Sequence, residues 1–287
     1  LNANGTDLQL SWDAVTTDID NNDITVSRYA IYRGSTADFT ADRTGKLNRI
    51  GLVSDPAFTD LNALAFAEDM YYIVTAERVD GTESPDDSQL GIRRRISLTP
   101  SSGPLVTWIG LPGGHAAQTA SDLVGEMNGG LGQGAVGRLS RIDAQTQQKQ
   151  SWEYVDGSWS GTDFALAAGE AYEIVVTAPL GWDSIGVARD AATYAFAHNT
   201  AVANLNWIAL PLKATYSGAQ SLVDAMNGGP SANHITKVAR INPATGSLES
   251  LVYFKGGWRG SDFPVEPGVG VLVLVGTDLP SWSPTMP

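Results

Sequence analysis

The stretch Trp108-Ile109-Gly110-Leu111-Pro112 occurs twice in the chain. It returns 99 residues later, with one substitution, as Trp207-Ile208-Ala209-Leu210-Pro211. At the same spacing Arg141-Ile142 recurs as Arg240-Ile241, and the pattern Trp-x-Gly-x-Asp-Phe occurs at residues 159–164 and 258–263. Aligned without a gap, residues 108–176 and 207–275 share 23 identities in 69 positions. One identity in three over this length indicates a duplicated unit.

The composition predicts a globular, mainly β chain. Its 287 residues are enough for two or three domains, each with a core of its own. Apolar residues make up 43%, charged residues only 17%, and 31 glycines and 14 prolines accompany 8 Trp, 9 Tyr and 7 Phe. This mixture is typical of many short strands joined by turns. The absence of cysteine excludes disulfides, thiolate metal sites and cysteine nucleophiles.

The net charge of −13 argues against nucleic acid as a partner, because an acidic surface repels phosphate. The one basic cluster, Arg93-Arg94-Arg95, is expected to pair with neighbouring acids. No apolar run reaches the ~20 residues that span a bilayer, so membrane insertion is not expected. Because the chain begins at Leu1 without a methionine or a signal-like segment, we expect a processed or truncated piece of a longer precursor that has lost its export signal.

Each copy of the duplicated unit predicts one short helix after the Trp-Ile-x-Leu-Pro strand. In copy one a capping box begins at Thr119, and in copy two the corresponding pattern begins at Ser217. Apolar residues then follow at helical spacing, and Asn-Gly-Gly ends each helix because glycine can adopt the left-handed conformation. The predicted buried faces are Ala120, Leu123, Val124 and Met127 in copy one, and Ala219, Leu222, Val223 and Met226 in copy two.

Strands are predicted for the rest of each copy. Leu139–Ile142 and Val238–Ile241 alternate between apolar and polar residues, and the runs Tyr172–Val176 and Val271–Val275 are continuously apolar or β-branched. The second pattern is typical of a strand that is buried on both faces.

The first 98 residues read as alternating strands, with Leu8, Leu10 and Trp12 on one face. Asp60 leads into Tyr72-x-Val74-x-Ala76, and a hairpin-turn signal, Asp80-Gly81, follows. This order resembles a bacterial fibronectin type III domain. The resemblance implies a seven-stranded β-sandwich whose core holds Trp12 and Tyr72, with Tyr72 forming a tyrosine corner. It also implies a spacing or presenting role without catalysis.

The duplicated unit resembles a poorly characterised repeat of exported bacterial proteins. Copy two carries its pattern in Asn206-Trp207-Ile208-Ala209-Leu210-Pro211 and Pro267-Gly268-Val269-Gly270, whereas copy one departs at Thr107 and at residues 168–171. The resemblance implies an extracellular or cell-surface setting and brings no known active site.

Two candidate sites remain open. Asp18, Asp20 and Asn22 alternate along a polar loop in a pattern that suits Ca²⁺, although the glycine and glutamate of an EF-hand loop are missing and a solvated turn is the simpler interpretation. Trp159 with Asp163, and Trp258 with Asp262, could form sugar platforms, in which an aromatic ring stacks on a pyranose and a carboxylate binds hydroxyls. The alternative is that each aspartate caps a tight turn by accepting hydrogen bonds from backbone N–H groups, while the neighbouring Phe enters the core.

No catalytic motif emerges from the sequence. His115, His198 and His234 are isolated, and no pair has the spacing of a helical metal site. No two carboxylates can be argued to face each other as in a glycosidase.

The sequence therefore predicts a fibronectin type III-like β-sandwich at 1–98, followed by tandem β-rich domains at 99–181 and 182–287, each with one short α-helix. The expected function is a non-catalytic structural or adhesive module at the bacterial cell surface or in the extracellular space, such as a surface-layer, filament or appendage component. Its expected partners are other subunits or domains of the same precursor. The alternative is a carbohydrate-binding region of a larger secreted enzyme, with polysaccharide as the partner.

Overall fold

The computed structural model describes the whole chain except residues 19, 86–90, 131, 188–191, 197, 199–203, 212–213, 215, 230–233, 267, 278, 280 and 285–287. It is mainly β, as predicted. Two compact units are formed: unit 1 comprises Leu1–Arg95, Pro112–His115 and Asp183–Ala188, and unit 2 comprises Ile96–Leu111, Ala116–Trp182 and Arg189–Pro287. Within the described residues, no helix has the length and apolar character needed to cross a membrane.

The described strands and helices follow one another in a simple order. The first seven strands are β1 (Asn2–Asn4), β2 (Asp7–Ser11), β3 (Val26–Gly34), β4 (Arg49–Val53), β5 (Ala57–Asp60), β6 (Met70–Arg78) and β7 (Gly91–Leu98), with a 3-10 turn at Ala63–Ala65. Copy one contributes β8 (Leu105–Gly110), α1 (Ala120–Asn128), β9 (Val136–Ile142), β10 (Lys149–Val155), β11 (Ser158–Gly161) and β12 (Ala171–Val176), and β13 (Leu180–Val187) follows. Copy two contributes β14 (Leu205–Ala209), α2 (Ala219–Asn227), β15 (Ile235–Ile241), β16 (Leu248–Phe254), β17 (Gly257–Gly260) and β18 (Gly270–Val275).

Unit 1 is a β-sandwich. One sheet has the strand order β1-β2-β5, and the other has the order β13-β7-β6-β3-β4. The core between them is formed by alternating residues such as Leu8 and Leu10 from β2, and Ile31 and Tyr72 from the second sheet. Trp12 packs against this core and meets Tyr29 edge to face, with ring centroids 5.3 Å apart.

Tyr72 does not form the predicted tyrosine corner. A tyrosine corner bonds to a backbone group, but the Tyr72 hydroxyl donates to the Asp60 carboxylate, with Oη 2.8 Å from Oδ2. Arg33 holds the same carboxylate, with Nη1 at 3.0 and 2.7 Å from its two oxygens. An ionised carboxylate is a stronger acceptor than a peptide carbonyl, so it captures the buried hydroxyl. Burial is the main cause that raises the pKa of Tyr72 above its usual value.

The basic cluster at residues 93–95 is paired within unit 1. Arg93 is fully buried, and its Nε lies 2.7 Å from Oδ1 of Asp183. Its remaining nitrogens donate to the backbone carbonyls of Glu68, Leu64 and Phe66. The other two arginines of the cluster pair with Asp69 and Asp183. This cluster therefore serves the sandwich itself.

Unit 2 contains two five-stranded antiparallel sheets with the same topology. The order is β11-β10-β9-β12-β8 in copy one and, read from the other end, β17-β16-β15-β18-β14 in copy two. Each sheet carries its own helix on one face, and the predicted apolar residues of α1 and α2 are buried there. The repeated sequence thus encodes a repeated fold.

The two helices begin and end where the sequence predicts, except at the N-cap of α2. Thr119 caps α1 in a capping box with Asp122, and Gly129 and Gly228 end the two helices in the left-handed conformation. The prediction that Ser217 caps α2 is wrong, because the cap residue is Gly218. The reason is steric, since a Cβ at Gly218 would lie 2.5 Å from Oδ1 of Asp262, which occupies this helix end.

The two copies pack against each other through the stretch that repeats. The rings of Trp108 and Trp207 lie 5.3 Å apart, and Trp108 is buried with Ala239 and Ile241 of copy two. The two copies also exchange equivalent hydrogen bonds: Gly110 N donates to Gly268 O at 2.9 Å, and Ala209 N donates to Gly169 O at 2.8 Å. Since 110 corresponds to 209 and 169 to 268, the contact has approximate two-fold symmetry.

Candidate functional site

The predicted site residues lie around the hairpins β10–β11 and β16–β17. Each hairpin turns through two residues with positive φ, Asp156-Gly157 in copy one and Lys255-Gly256 in copy two. A two-residue turn of this kind matches the twist of the strands that it joins. It places Trp159 opposite Tyr154, and Trp258 opposite Tyr253.

The tryptophans of these hairpins are half-buried. Trp159 stacks beside Trp152, with centroids 6.3 Å apart and planes 14° apart, and meets Tyr154 edge to face at 5.5 Å. Trp258 meets Tyr253 in the same way at 5.4 Å. Both tryptophans pack against the helix-covered core of their own copy. Copy one therefore presents three grouped aromatic rings, and copy two presents two, because Leu251 replaces the first Trp.

The glycine of Trp-x-Gly-x-Asp-Phe is required by a close approach of the backbone. Gly161 has a φ of 106° and Gly260 a φ of 116°. A Cβ at either position would come within 2.2 or 2.1 Å of the carbonyl oxygen of Ser151 or Ser250. The residue after each glycine donates its N–H to that same carbonyl. The glycine thus directs the chain back from the hairpin toward the helix.

The two repeated aspartates cap the helices. Asp163 accepts hydrogen bonds from the backbone N–H of Ser121 at 2.8 Å and from its hydroxyl at 2.7 Å. Asp262 accepts from the backbone N–H of Gln220 at 2.9 Å. A carboxylate at a helix N-terminus satisfies a free N–H group and faces the positive end of the helix dipole. The geometry therefore follows the capping interpretation, although the aspartate caps a helix rather than a turn.

The phenylalanine and arginine of the repeat complete the same arrangement. Phe164 and Phe263 are buried, as the capping interpretation requires. The Arg141 guanidinium lies 5.2 Å from the Phe164 ring, and the Arg240 guanidinium 5.4 Å from the Phe263 ring. Each arginine also donates to the backbone carbonyl that follows the Phe. Arginine, aspartate and phenylalanine together hold the returning chain against the helix.

The Asp18 loop forms an Asx turn. Oδ1 of Asp18 accepts the backbone N–H groups of Asp20 and Asn22 at 3.0 and 2.9 Å, and both carboxylate oxygens lie near the Asn22 amide nitrogen. The backbone hydrogen bond from Asn22 is the main cause that lowers the pKa of Asp18. Nδ2 of Asn22 points at the carboxylate, so these three residues do not present converging oxygens. In the described part of the chain, no group of three His, Asp or Glu side chains could hold a metal ion.

Other acidic groups in unit 2 are held in ion pairs. Glu173 contacts Arg138 at 3.2 Å and Lys149 at 2.5 Å. Burial is the main cause that raises the pKa of Glu170, which lies 3.4 Å from Arg141 and accepts the Tyr172 hydroxyl at 3.2 Å. Neither carboxylate corresponds to an acid in the other copy. Neither group is predicted from the sequence, and their only signal is an acidic residue within or directly before the apolar strand β12.

Two clefts in the described part of unit 1 are large enough for a small molecule. The larger has a volume of about 550 Å³, and its lining includes Asp18, Arg78 and Glu83. The other has a volume of about 330 Å³ and is lined by residues of both sheets, including Leu10, Trp12, Tyr29, Tyr72 and Ser84. Its walls are mainly apolar, and no carboxylate pair or histidine lines it. It offers shape without reactive groups.

The aspartate caps lead to a prediction about helix stability. Replacing Asp163 or Asp262 by alanine is expected to lower the free energy of unfolding by about 1–2 kcal/mol, because each change removes a helix cap. Hydrogen exchange should increase at the first turn of α1 for the first variant and of α2 for the second. Ser160→Ala, an exposed change in the same hairpin, is the control. Unchanged exchange in both helices would contradict the capping role.

Comparison with protein-family models, with curated proteins and with solved structures finds no match to this chain.

Proposed function

We propose that this chain is a non-catalytic structural or adhesive module of a bacterial surface or secreted protein, and that unit 1 acts as a fibronectin type III-like spacer. In this proposal the paired copies in unit 2 form a rigid block that other subunits or domains of the same precursor contact. Its setting is the extracellular space or the cell surface, in an assembly such as a surface layer, a filament or an appendage.

One observation carries the proposal: the polar residues that both copies keep are used to build the fold. Asn128 bonds both backbone groups of Val136, and Asn227 accepts from the backbone N–H of Ile235. The repeated arginines and aspartates bond to backbone groups in the same way, as described above. A catalytic or ligand-binding duplication would be expected to keep at least one reactive group free in a cleft.

The proposal is tested with the purified chain and with intact source cells. The chain is incubated with chromogenic glycoside, ester and peptide substrates, and no turnover above the buffer rate is expected. An antibody against the chain should detect it on intact cells, and external protease should remove that signal. Reproducible turnover, or a signal that resists external protease until the cells are lysed, would overturn the proposal.

Carbohydrate binding is the second candidate, and the grouped rings of Trp152, Tyr154 and Trp159 favour it. Sugar stacking needs an open ring face, and all eight tryptophans are half-buried or buried. The Asp163 carboxylate is also committed to α1. These contacts make the structural role the better supported of the two.

A pull-down on insoluble polysaccharides distinguishes the two roles. Under the structural role, Trp159→Ala and Trp258→Ala should leave retention of the chain unchanged while lowering its Tm, because each ring packs on a core. Val155→Ala, at an exposed apolar side chain of the copy-one hairpin, is the control for non-specific adsorption. Specific retention that falls at least tenfold with Trp159→Ala alone would favour the carbohydrate-binding role instead.

A further inference from the structure

The two copies differ most on the sheet face that points away from the helix, which we call the outer face. In copy two, Ala239 and Ile241 lie on this face and are buried against Trp108 of copy one. The neighbouring strand β16 continues the same face, because Ser250 pairs with Ala239 and Leu248 pairs with Ile241. The outer face of β16 is therefore continuous with the interface between the copies.

The outer face of copy one is polar and internally paired. Lys149 and Arg138 contact Glu173, Arg138 also lies 3.6 Å from Glu153, and Ser140 hydrogen-bonds Ser151. These groups satisfy one another, and the Lys149 ammonium also lies 6.0 Å from the ring of Trp207 in copy two. Water can meet this surface at little cost.

The outer face of copy two is apolar at three of the equivalent positions, whereas Lys237 keeps the cation of Arg138. Leu248 stands where copy one has Lys149, Val252 where it has Glu153, and Leu272 where it has Glu173. Leu248 is 59% exposed and Phe254 is 58% exposed. With the half-buried Val252 and with Ser250 between them, they form a row along one strand, which we call the β16 strip. Exposed apolar residues grouped on one surface mark interaction surfaces.

We propose that the β16 strip binds the β16 strip of a second copy of this chain and forms a two-fold dimer. The interface between copies one and two shows that the outer face of this fold packs on another outer face of the same fold. A pairing of identical patches closes after two chains. The described outer face of copy one has Lys149 and Glu153 at two of the three equivalent positions and the apolar Val155 at the third, so its apolar surface is too short to extend the dimer into a filament.

The charges at the ends of the strip favour an antiparallel arrangement. Lys255 follows Phe254 at one end of the strip. The other end leads from the turn at residues 242–247, which contains no charged residue. Lys237 and Arg259 pair with Val252 from the two neighbouring strands, near the middle of the strip. A two-fold axis near Ser250 would place the Phe254 end of one chain on the Leu248 end of the other. This arrangement keeps the Lys255 side chains of the two chains apart. The proposal goes beyond the proposed function and does not depend on it.

Copy one supplies the substitutions that test the dimer. In Leu248→Lys/Val252→Glu, copy two receives the residues that the same fold already carries in copy one. Sedimentation velocity and light scattering at micromolar concentrations should give twice the 30.3 kDa chain mass for the wild type. The double variant should sediment as a monomer, because charges at the centre of the contact raise the dissociation constant about 100-fold or more.

The controls separate the interface from folding. Val155→Lys changes the position in copy one that corresponds to Phe254, and the dimer should persist. Circular dichroism of the double variant should match the wild type, since both changed positions lie on the outer surface of the strand, and its Tm should fall no further than the loss of the dimer accounts for. A wild-type chain that is monomeric up to high micromolar concentrations overturns the proposal. A double variant that remains a dimer, or a strip that instead binds the polysaccharide or anionic vesicles added as probes, overturns it as well.

Discussion

Replacing Arg93 by alanine is expected to lower the stability of unit 1 by about 3–5 kcal/mol, because it removes one partner of a buried ion pair. The Arg93 side chain is fully buried, whereas that of Asp183 is 15% exposed. The guanidinium forms an ion pair with this carboxylate and donates hydrogen bonds to three backbone carbonyls. Alanine would remove the hydrogen-bond donor of those three carbonyls and would open a cavity between them.

Lysine at this position should not rescue the sandwich. Its single ammonium group has three donors at one point, whereas the guanidinium reaches acceptors on separate sides of its plane. We therefore expect Arg93→Lys to lose most of the same stability, although the charge is kept. A loss of less than about 1 kcal/mol for lysine would show that charge, rather than geometry, is the important property.

Arg94→Ala is the matched control in the same strand. Arg94 lies 3.6 Å from Asp69, and both side chains are partly exposed. Such a pair contributes about 0–1 kcal/mol. Native-state hydrogen exchange followed by mass spectrometry should show faster exchange in β6 and β7 for the Arg93 variants and little change for Arg94→Ala. Equal effects of the two alanine variants would contradict the account given for Arg93.

The helices of unit 2 could be predicted from the sequence because their signals are local. Spacings of three and four residues place Leu123 and Met127 on one face, and glycine ends the helix without needing any distant contact. The α2 cap was misplaced for the opposite reason. Asp262 comes from 42 residues further along the chain and takes the role of a cap side chain. The 99-residue alignment predicts this cap position, because it sets Gly218 opposite Thr119, whereas the local sequence pattern does not.

The contact between the copies could not be predicted from the sequence. Alternation shows that Trp108 and Ile109 point to opposite faces of β8, but it does not show what covers each face. Ile109 joins the helix-covered core of copy one, whereas Trp108 meets copy two. The same limit applies to Trp12 and Tyr72, whose burial was expected but whose partners depend on the sheet pairing. The hydrogen bonds of Asp163 and Asp262 favour capping over binding.

The approximate two-fold axis between the copies passes close to Gly110 and Ala209. A Cβ at Gly110 would lie only 2.2 Å from the Cβ of Ala209 and 3.2 Å from the carbonyl oxygen of Gly268. Gly110 lies in a strand and does not have the positive φ that restricts other residues. An alanine there would therefore be strained only by this contact.

Gly110→Ala is accordingly expected to destabilise unit 2 by about 1–3 kcal/mol, the range for overpacking in a closed interface. The double variant Gly110→Ala/Ala209→Gly moves the one methyl group across the axis, and it should return to within about 1 kcal/mol of the wild type. Ala209→Gly alone should cost up to about 1 kcal/mol, since glycine weakens a strand. A double-mutant cycle of denaturant unfolding measures the coupling between the two positions.

The sign and size of that coupling energy show whether the two copies stay packed against each other in solution. If they pack as the structure has them, the two substitutions compensate, and the coupling energy is about 1–3 kcal/mol in favour of the double variant. If the copies separate in solution, Gly110→Ala meets no methyl group, and the effects add to within about 0.5 kcal/mol.

The second pair close to the axis provides an independent repeat of the test. A Cβ at Gly270 would lie 2.7 Å from the Cβ of Ala171, so Gly270→Ala should be compensated by Ala171→Gly. Because this pair also touches Trp108, its compensation should be the smaller of the two.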